Sequence, residues 1–110
     1  MTITCFIRYE IDPFQKDAFE DYARKWGQAI PRCGADLIGS FAPHEGSATT
    51  AYGVYSLDSL AEYEAYRARL AKDPLGKANY DFARERRFIV REDRIFLKQA
   101  SGPHAERIVP

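Results

Sequence analysis

Hydrophobic and polar residues alternate strictly at the start of the chain, from Thr2 to Ile11. A period of two residues is typical of a β-strand with one covered face. One predicted face is entirely apolar or aromatic, apart from one thiol: Ile3, Cys5, Ile7, Tyr9 and Ile11. The other face is mixed: Thr4, Phe6, Arg8 and Glu10.

The next apolar positions recur at helical spacing and predict an amphipathic helix of about five turns. Asp12 and Pro13 supply the cap and the first helical residue. We expect the helix to stop or kink just before Pro31, because proline lacks the amide that a helix interior needs, and Gly34 to provide its exit. The inward residues should be Phe19, Tyr22, Ala23, Trp26 and Ile30.

A hairpin is predicted next, with strands from Ala35 to about Pro43 and from Thr49 to about Ser56. Its loop contains His44. Ser59 and Glu62 form a capping pair that starts a second helix, and Asp73-Pro74 starts a third. The predicted inward residues of these two helices are Leu60, Tyr63, Arg67 and Leu70, followed by Leu75, Ala78 and Phe82.

A closing strand is predicted from about Arg91 to Gln99, with Ile95 and Leu97 on one face and Phe96 on the other. The order β-α-β-β-α-α-β predicts a ferredoxin-like α+β fold with a four-stranded antiparallel sheet, in which the first and third strands are central. We expect residues 1–100 to form one domain and residues 101–110, which include His104, to form a tail.

The helices of such a fold cover one face of the sheet, yet apolar residues lie on both faces of the predicted strands. An uncovered apolar face is a liability in a monomer. We therefore expect a homodimer that packs sheet to sheet and forms an α+β barrel.

Charge and composition narrow the possible partners. The 110 residues contain 16 basic and 16 acidic side chains, which argues against a nucleic acid or a membrane surface as partner. Neither a spanning apolar run nor a signal-peptide pattern is evident, so a cytoplasmic location is expected. Cys5 and Cys33 lie in apolar stretches and are expected to be buried structural thiols.

Several stretches resemble the NIPSNAP family, one of the dimeric α+β barrel groups. They are Ile7-Arg8-Tyr9, the helix from Asp12 to Trp26, residues 34–41 (GADLIGSF), residues 52–55 (YGVY), residues 60–63 (LAEY) and Asp73-Pro74. The resemblance covers about residues 3–98. The wider barrel group includes cofactor-independent monooxygenases, haem-degrading enzymes and small isomerases, so the resemblance implies a cofactor-independent monooxygenase- or isomerase-like activity if the protein is an enzyme.

His44 and Tyr9 are the candidate catalytic residues. A histidine titrates near neutrality and could act as an acid or base, although a solvated loop histidine is the favoured interpretation of His44. Tyr9 could point into the space between the sheet and the helices. His44 would join that site only if its loop folds over the mouth of the pocket.

The candidate ligand-binding residues are Trp26, Tyr52, Tyr55, Arg8 and Arg67. Trp26 could stack on a planar ligand or simply pack in the core. Tyr52 and Tyr55 face opposite sides of their strand, so at most one of them can join the pocket. Arg8 and Arg67 lie among apolar positions and need an anionic or carbonyl partner, which for Arg8 could be Glu10 or a ligand.

These residues predict a protein that binds or transforms a small planar apolar metabolite, with no cofactor and no metal site expected. The alternative hypothesis is a non-enzymatic dimeric module for binding another protein. An RNA-binding domain of similar topology is disfavoured by the lack of a basic surface.

Overall fold

The computed structural model describes residues 2–103 and residue 105. The four strands are β1 (Ile3–Ile11), β2 (Asp36–Phe41), β3 (Thr50–Leu57) and β4 (Ile89–Leu97), and the three helices are α1 (Lys16–Arg32), α2 (Leu60–Lys72) and α3 (Pro74–Arg86). The strands form one antiparallel sheet in the order β2-β3-β1-β4. The predicted ferredoxin-like α+β fold, with β1 and β3 at the centre, is confirmed. His104 and residues 106–110 of the predicted tail lie outside the described residues.

The alternation along β1 sorts its side chains as predicted. The apolar set on one face is buried under the helices, whereas Arg8 on the other face is exposed. At the end of the strand, the backbone N–H of Phe14 donates to Asp12 Oδ1 at 3.0 Å, which caps a short 3-10 turn over Pro13–Gln15. This turn leads the chain directly into α1.

The predicted end of α1 is wrong by two residues, because the helix continues through Pro31 to Arg32. Pro31 lies in the last turn, where its missing amide removes only one hydrogen bond. The end is closed by the backbone N–H of Cys33, which donates to Ala29 O at 3.0 Å. Gly34 then turns the chain with φ of 104°, a left-handed conformation that favours glycine at this position.

The inward faces of α2 and α3 differ from the prediction. Leu60 is 58% exposed, and Tyr66 is buried in addition to Leu70. In α3, Ala78 was predicted to face inward but is exposed, whereas Gly76 and Asn79 are buried. Both helices are rich in alanine and charged residues, so hydrophobicity alone gives a weak signal for their orientation.

One hydrogen bond and one steric contact fix the orientation of α3 instead. Asn79 Nδ2 donates to the backbone carbonyl of Tyr22 in α1 at 2.9 Å. Gly76 lies against α2, and a Cβ atom there would come within 2.8 Å of the carbonyl oxygen of Leu70. The two helices approach closely because residue 76 has no side chain.

The core fills the space between the sheet and the helices, and the opposite face of the sheet is open. Ile95 and Leu97 share one face of β4, as predicted, and that face is the outer one, which also carries Ile38, Phe41 and Tyr52. None of the helices within the described ranges is long and apolar enough to cross a bilayer.

Candidate functional site

A cavity of about 40 Å³ lies between the inner face of the sheet and the helices, and it is partly open to solvent. Its wall is largely aromatic, and the aromatic members are Tyr9, Tyr22, Trp26, Tyr55, Tyr66 and Tyr80. Three charged side chains also line it: Arg67, Glu92 and Arg94. Such a volume holds roughly one or two water molecules.

Strand register places the sheet side of this wall. In the antiparallel pairing of β1 with β4, Ile7 is opposite Arg94 and Tyr9 is opposite Glu92. The inner face of β1 is therefore continued on β4 by charged residues. Tyr55 reaches the same face from β3, where it is opposite Cys5.

The helix side of the wall is built from rings that meet edge to face. Tyr22 and Trp26 are four residues apart in α1, and their ring centroids are 5.6 Å apart at an interplanar angle of 85°. Tyr80 of α3 approaches Trp26 at 5.2 Å and 69°. This edge-to-face arrangement is the favoured geometry for aromatic pairs and holds the indole in place.

Burial keeps the phenols of the cavity neutral. It raises the pKa of Tyr9 well above its ordinary value, with a further upward contribution from Tyr22. Burial also raises the pKa of Tyr22 to about 12, and it raises the pKa values of Tyr55 and Tyr66 as well. Each of these hydroxyl groups is therefore protonated at neutral pH and can donate a hydrogen bond.

Two guanidinium groups converge on one neutral oxygen at the edge of the cavity. Arg94 Nη1 donates to the Tyr63 hydroxyl at 3.2 Å, and Arg67 Nη1 donates to the same oxygen at 3.4 Å. The Tyr63 ring is itself held against Phe96, with centroids 4.8 Å apart. We call Arg67, Arg94 and Tyr63 the arginine cluster.

Arg94 is only partly compensated. Its Nε is buried, and no acceptor lies within hydrogen-bond distance of that atom in the part of the chain that the structure describes. An unsatisfied buried donor costs about 1–3 kcal/mol. Burial lowers the pKa of Arg94, but acidic groups around it, among them Glu92, raise it, and the net direction is upward. The group is therefore a permanent cation beside the cavity.

Comparisons with known proteins identify the family. The NIPSNAP family model matches residues 4–102. The chain belongs to the NIPSNAP family. The resemblance found in the sequence is thus confirmed.

Solved structures share the fold of this NIPSNAP chain. A NIPSNAP family protein from Agrobacterium tumefaciens is 24% identical, with a TM-score of 0.72 over 88% of this chain and 91% of that one. A NIPSNAP-like domain protein from Burkholderia xenovorans is 20% identical, with a TM-score of 0.73 over 99% of this chain and 95% of that one. A proposed antibiotic biosynthesis monooxygenase from Nitrosomonas europaea is 11% identical, with a TM-score of 0.69 over 92% of this chain and 100% of that one. No curated protein matches the chain.

Four of the predicted site residues come together in this NIPSNAP chain: Tyr9, Trp26, Tyr55 and Arg67 all line the cavity. The other three lie elsewhere. His44 is exposed beside Pro13 and Lys16 in a separate open depression, and its loop does not line the cavity.

Arg8 and Tyr52 lie on the outer face of the sheet, directly opposite each other in the β1–β3 register. Arg8 Nη2 donates to Glu10 Oε1 at 3.1 Å, which is the structural partner that the sequence suggested. Neither Arg8 nor Tyr52 lines the cavity.

Sequence reasoning missed Arg94, which lines the cavity and whose buried Nε has no acceptor among the described residues. A signal for it was present: with Ile95 and Leu97 on the outer face, alternation places residue 94 on the inner face. A charged residue on a covered face of a strand needs a partner, so the position of Arg94 carries the same information as the position of Arg8.

Neither the thiols nor the acidic residues suggest a second kind of chemistry. Cys5 and Cys33 are buried and unpaired with each other, and burial raises the pKa of both thiols, which disfavours the nucleophilic thiolate. Within residues 2–103 and 105, no group of three or more His, Cys, Asp or Glu side chains is arranged to hold a metal ion.

Proposed function

We propose that this chain binds a small planar, largely apolar molecule in the cavity between the sheet and the helices, without a resident cofactor. The observation that supports this most is the aromatic wall, in which Trp26, Tyr22 and Tyr80 surround a space instead of filling it. Ligand pockets commonly combine such apolar walls with a few converging polar groups.

A ligand of metabolite size requires the cavity to widen. Pockets for such ligands measure roughly 300–1,000 Å³, well above the space present here. Arg67 of α2 and Tyr80 of α3 are half-buried wall residues, so they can move with less loss of packing than the fully buried residues. We propose that ligand entry displaces these two side chains.

In its enzymatic form, the proposal is a cofactor-independent monooxygenase- or isomerase-like reaction. The fold shared with the proposed monooxygenase from Nitrosomonas europaea supports this form by analogy. Within it, the neutral phenol of Tyr9 would donate a hydrogen bond to a carbonyl or developing oxyanion of the ligand, because its raised pKa keeps the hydroxyl protonated at neutral pH.

A non-enzymatic dimeric interaction module is the second candidate, and the small volume of the cavity favours it. At about 40 Å³, the space is also consistent with an imperfectly filled core. In that case the outer sheet face, not the cavity, would carry the function.

Both candidates include a homodimer formed through the outer face. A groove of about 390 Å³ on this face is lined by Phe6, Ile38, Phe41, Val54 and Leu97, among others. Opposite charges alternate at one end of the same face, where Arg8 lies opposite Asp93 and Glu10 lies opposite Arg91 in the strand register. A second copy related by a two-fold axis would meet both an apolar centre and a balanced charged rim.

The ligand proposal is tested by NMR on the indole N–H resonance of Trp26, the only tryptophan in the chain. Neutral planar compounds such as benzyl alcohol and 1-naphthol should shift this resonance in a saturable way. Ile30→Phe, which fills part of the cavity, should abolish the shift, whereas Ile89→Phe, at a half-buried position that does not line the cavity, should retain it. If no compound moves the resonance, the interaction module is the better account.

A further inference from the structure

The arginine cluster holds two positive charges around a single neutral acceptor. Both Arg94 and Arg67 donate to the Tyr63 hydroxyl, at 3.2 and 3.4 Å, and both arginines line the cavity. A phenol oxygen carries no formal charge at neutral pH, so it satisfies hydrogen-bond geometry without neutralising either guanidinium.

The nearest carboxylate compensates Arg94 poorly. Glu92 Oε2 is 3.9 Å from Arg94 Nη2, which is too long for a hydrogen bond, and the Glu92 side chain is 39% exposed. Solvent screening weakens an ion pair of this kind. Arg94 itself is only 26% exposed, and its buried Nε has no acceptor among the residues that the structure describes.

Guanidinium geometry indicates what would complete the cluster. Nε and Nη of arginine form a rigid planar fork that matches the two oxygens of a carboxylate. In Arg94 Tyr63 binds Nη1, on the other side of the guanidinium, whereas the fork of Nε and Nη2 has no acceptor at Nε among the described residues and only Glu92 Oε2, 3.9 Å away, near Nη2. A planar anion would supply both acceptors and the missing negative charge together.

We propose that the ligand of the cavity carries a planar oxyanion, of the carboxylate class, which Arg94 binds and Arg67 supports. This inference rests on the proposed function and adds the chemistry of the head group. The anion fills the open edge formed by Nε and Nη2 of Arg94, while the aromatic wall around Trp26 receives the ring of the ligand. Tyr63 holds the two guanidinium groups in position through Nη1 of each.

The test compares three compounds on the intact protein by the Trp26 indole resonance and by calorimetry. Benzoate has the ring and the charge, benzamide has the ring without the charge, and acetate has the charge without the ring. A charge-assisted hydrogen bond exchanged for a neutral one changes affinity by about tenfold or more. Benzoate should therefore bind at least about tenfold more tightly than benzamide, and it should also bind more tightly than acetate because its ring buries apolar surface in the cavity.

The outcomes separate the two proposals. Equal binding of benzoate and benzamide would overturn the oxyanion inference and leave the aromatic cavity standing. Equal binding of benzoate and acetate, without a shift of the indole resonance, would keep an anion site but overturn the proposed ligand class. No binding by any of the three would overturn both.

Substitutions then assign the effect to the cluster. Arg94→Gln should reduce the preference for benzoate over benzamide to about one, and Arg94→Lys, which keeps the charge and loses the fork, should restore part of it. Arg24→Gln removes an exposed arginine of α1 and should leave the preference unchanged. A full preference retained in a folded Arg94→Gln variant would contradict the assignment. Should that variant fail to fold, the preference of the wild type for benzoate over benzamide, and its reduction in Arg67→Gln, still test the oxyanion inference.

Discussion

Gly76→Ala is expected to destabilise the protein because α2 and α3 touch at this glycine. The new Cβ would lie 2.8 Å from the carbonyl oxygen of Leu70 and 3.5 Å from Leu70 Cδ1. The closer atom belongs to the backbone, so relief requires a shift of a whole helix. Overpacking of this kind costs roughly 1–3 kcal/mol, from which the better helix propensity of alanine returns about 0.5–1 kcal/mol.

The net loss, between nearly zero and about 2.5 kcal/mol, should lower the melting temperature by up to roughly 10 °C in a chain of this size. Thermal unfolding followed by circular dichroism measures this shift. Gly27→Ala is the matched control, since nothing lies within 4 Å of a Cβ at this exposed helical position. It should raise the melting temperature by about 2–4 °C. If Gly76→Ala raises the melting temperature as much as Gly27→Ala does, the close contact of the two helices does not hold in solution.

Three further predictions concern the core, the pH dependence and the outer face. Phe88→Ala removes a fully buried ring and should cost about 3–5 kcal/mol in urea unfolding; a loss under 1 kcal/mol would contradict its central place. The Gly76 backbone N–H and then Arg32 lower the pKa of Asp73 against the opposing effect of burial, so Asp73 stabilises the fold above the unfolded pKa of about 3.9, and this stability is lost as pH falls through its folded pKa. Thermal melts between about pH 5 and pH 2 should show a flatter acid limb for Asp73→Asn, and an unchanged limb would refute the linkage. Ile95→Lys should give a monomer by light scattering, whereas Leu60→Lys, at an exposed apolar site on the helical side, should leave the proposed dimer intact; a wild-type monomer would refute the dimer itself.

The alternation of polar and apolar residues along the strands made most of the fold predictable from the sequence. The inner and outer faces of β1 follow directly from its period of two, because every side chain of a strand points to one of two sides. The strand order then follows from the order of the elements and the handedness of crossovers.

Helix orientation was harder to predict where apolar residues are sparse. Tyr66 and Asn79 face inward in α2 and α3 although the pattern did not include them, and two residues that it did include, Leu60 and Ala78, are exposed. Contacts that are distant in sequence decide this orientation, such as the hydrogen bond from Asn79 to the backbone of Tyr22. A local pattern of polar and apolar residues cannot predict a hydrogen bond between residues in different helices.

The candidate site was predictable in its location but not in its charge. Tyr9 and Trp26 were expected in the space between the sheet and the helices, and both line the cavity. The convergence of Arg67 and Arg94 on Tyr63 depends on the pairing of β4 with β1 and on the packing of α2 above it. His44 drew attention through its chemistry alone, and its exposed position shows why a titratable residue needs a structural context.

The central claim is that the cavity beside Trp26 receives a ligand, and a crystal structure of the protein soaked with benzoate tests it most directly. We predict density for the benzoate ring between Trp26 and Tyr9, with its carboxylate oxygens at roughly 2.8 Å from the Arg94 guanidinium. Arg67 or Tyr80 should be displaced to make room. A fully occupied benzoate bound only at the outer sheet face, with the cavity still closed around about 40 Å³, would contradict the account.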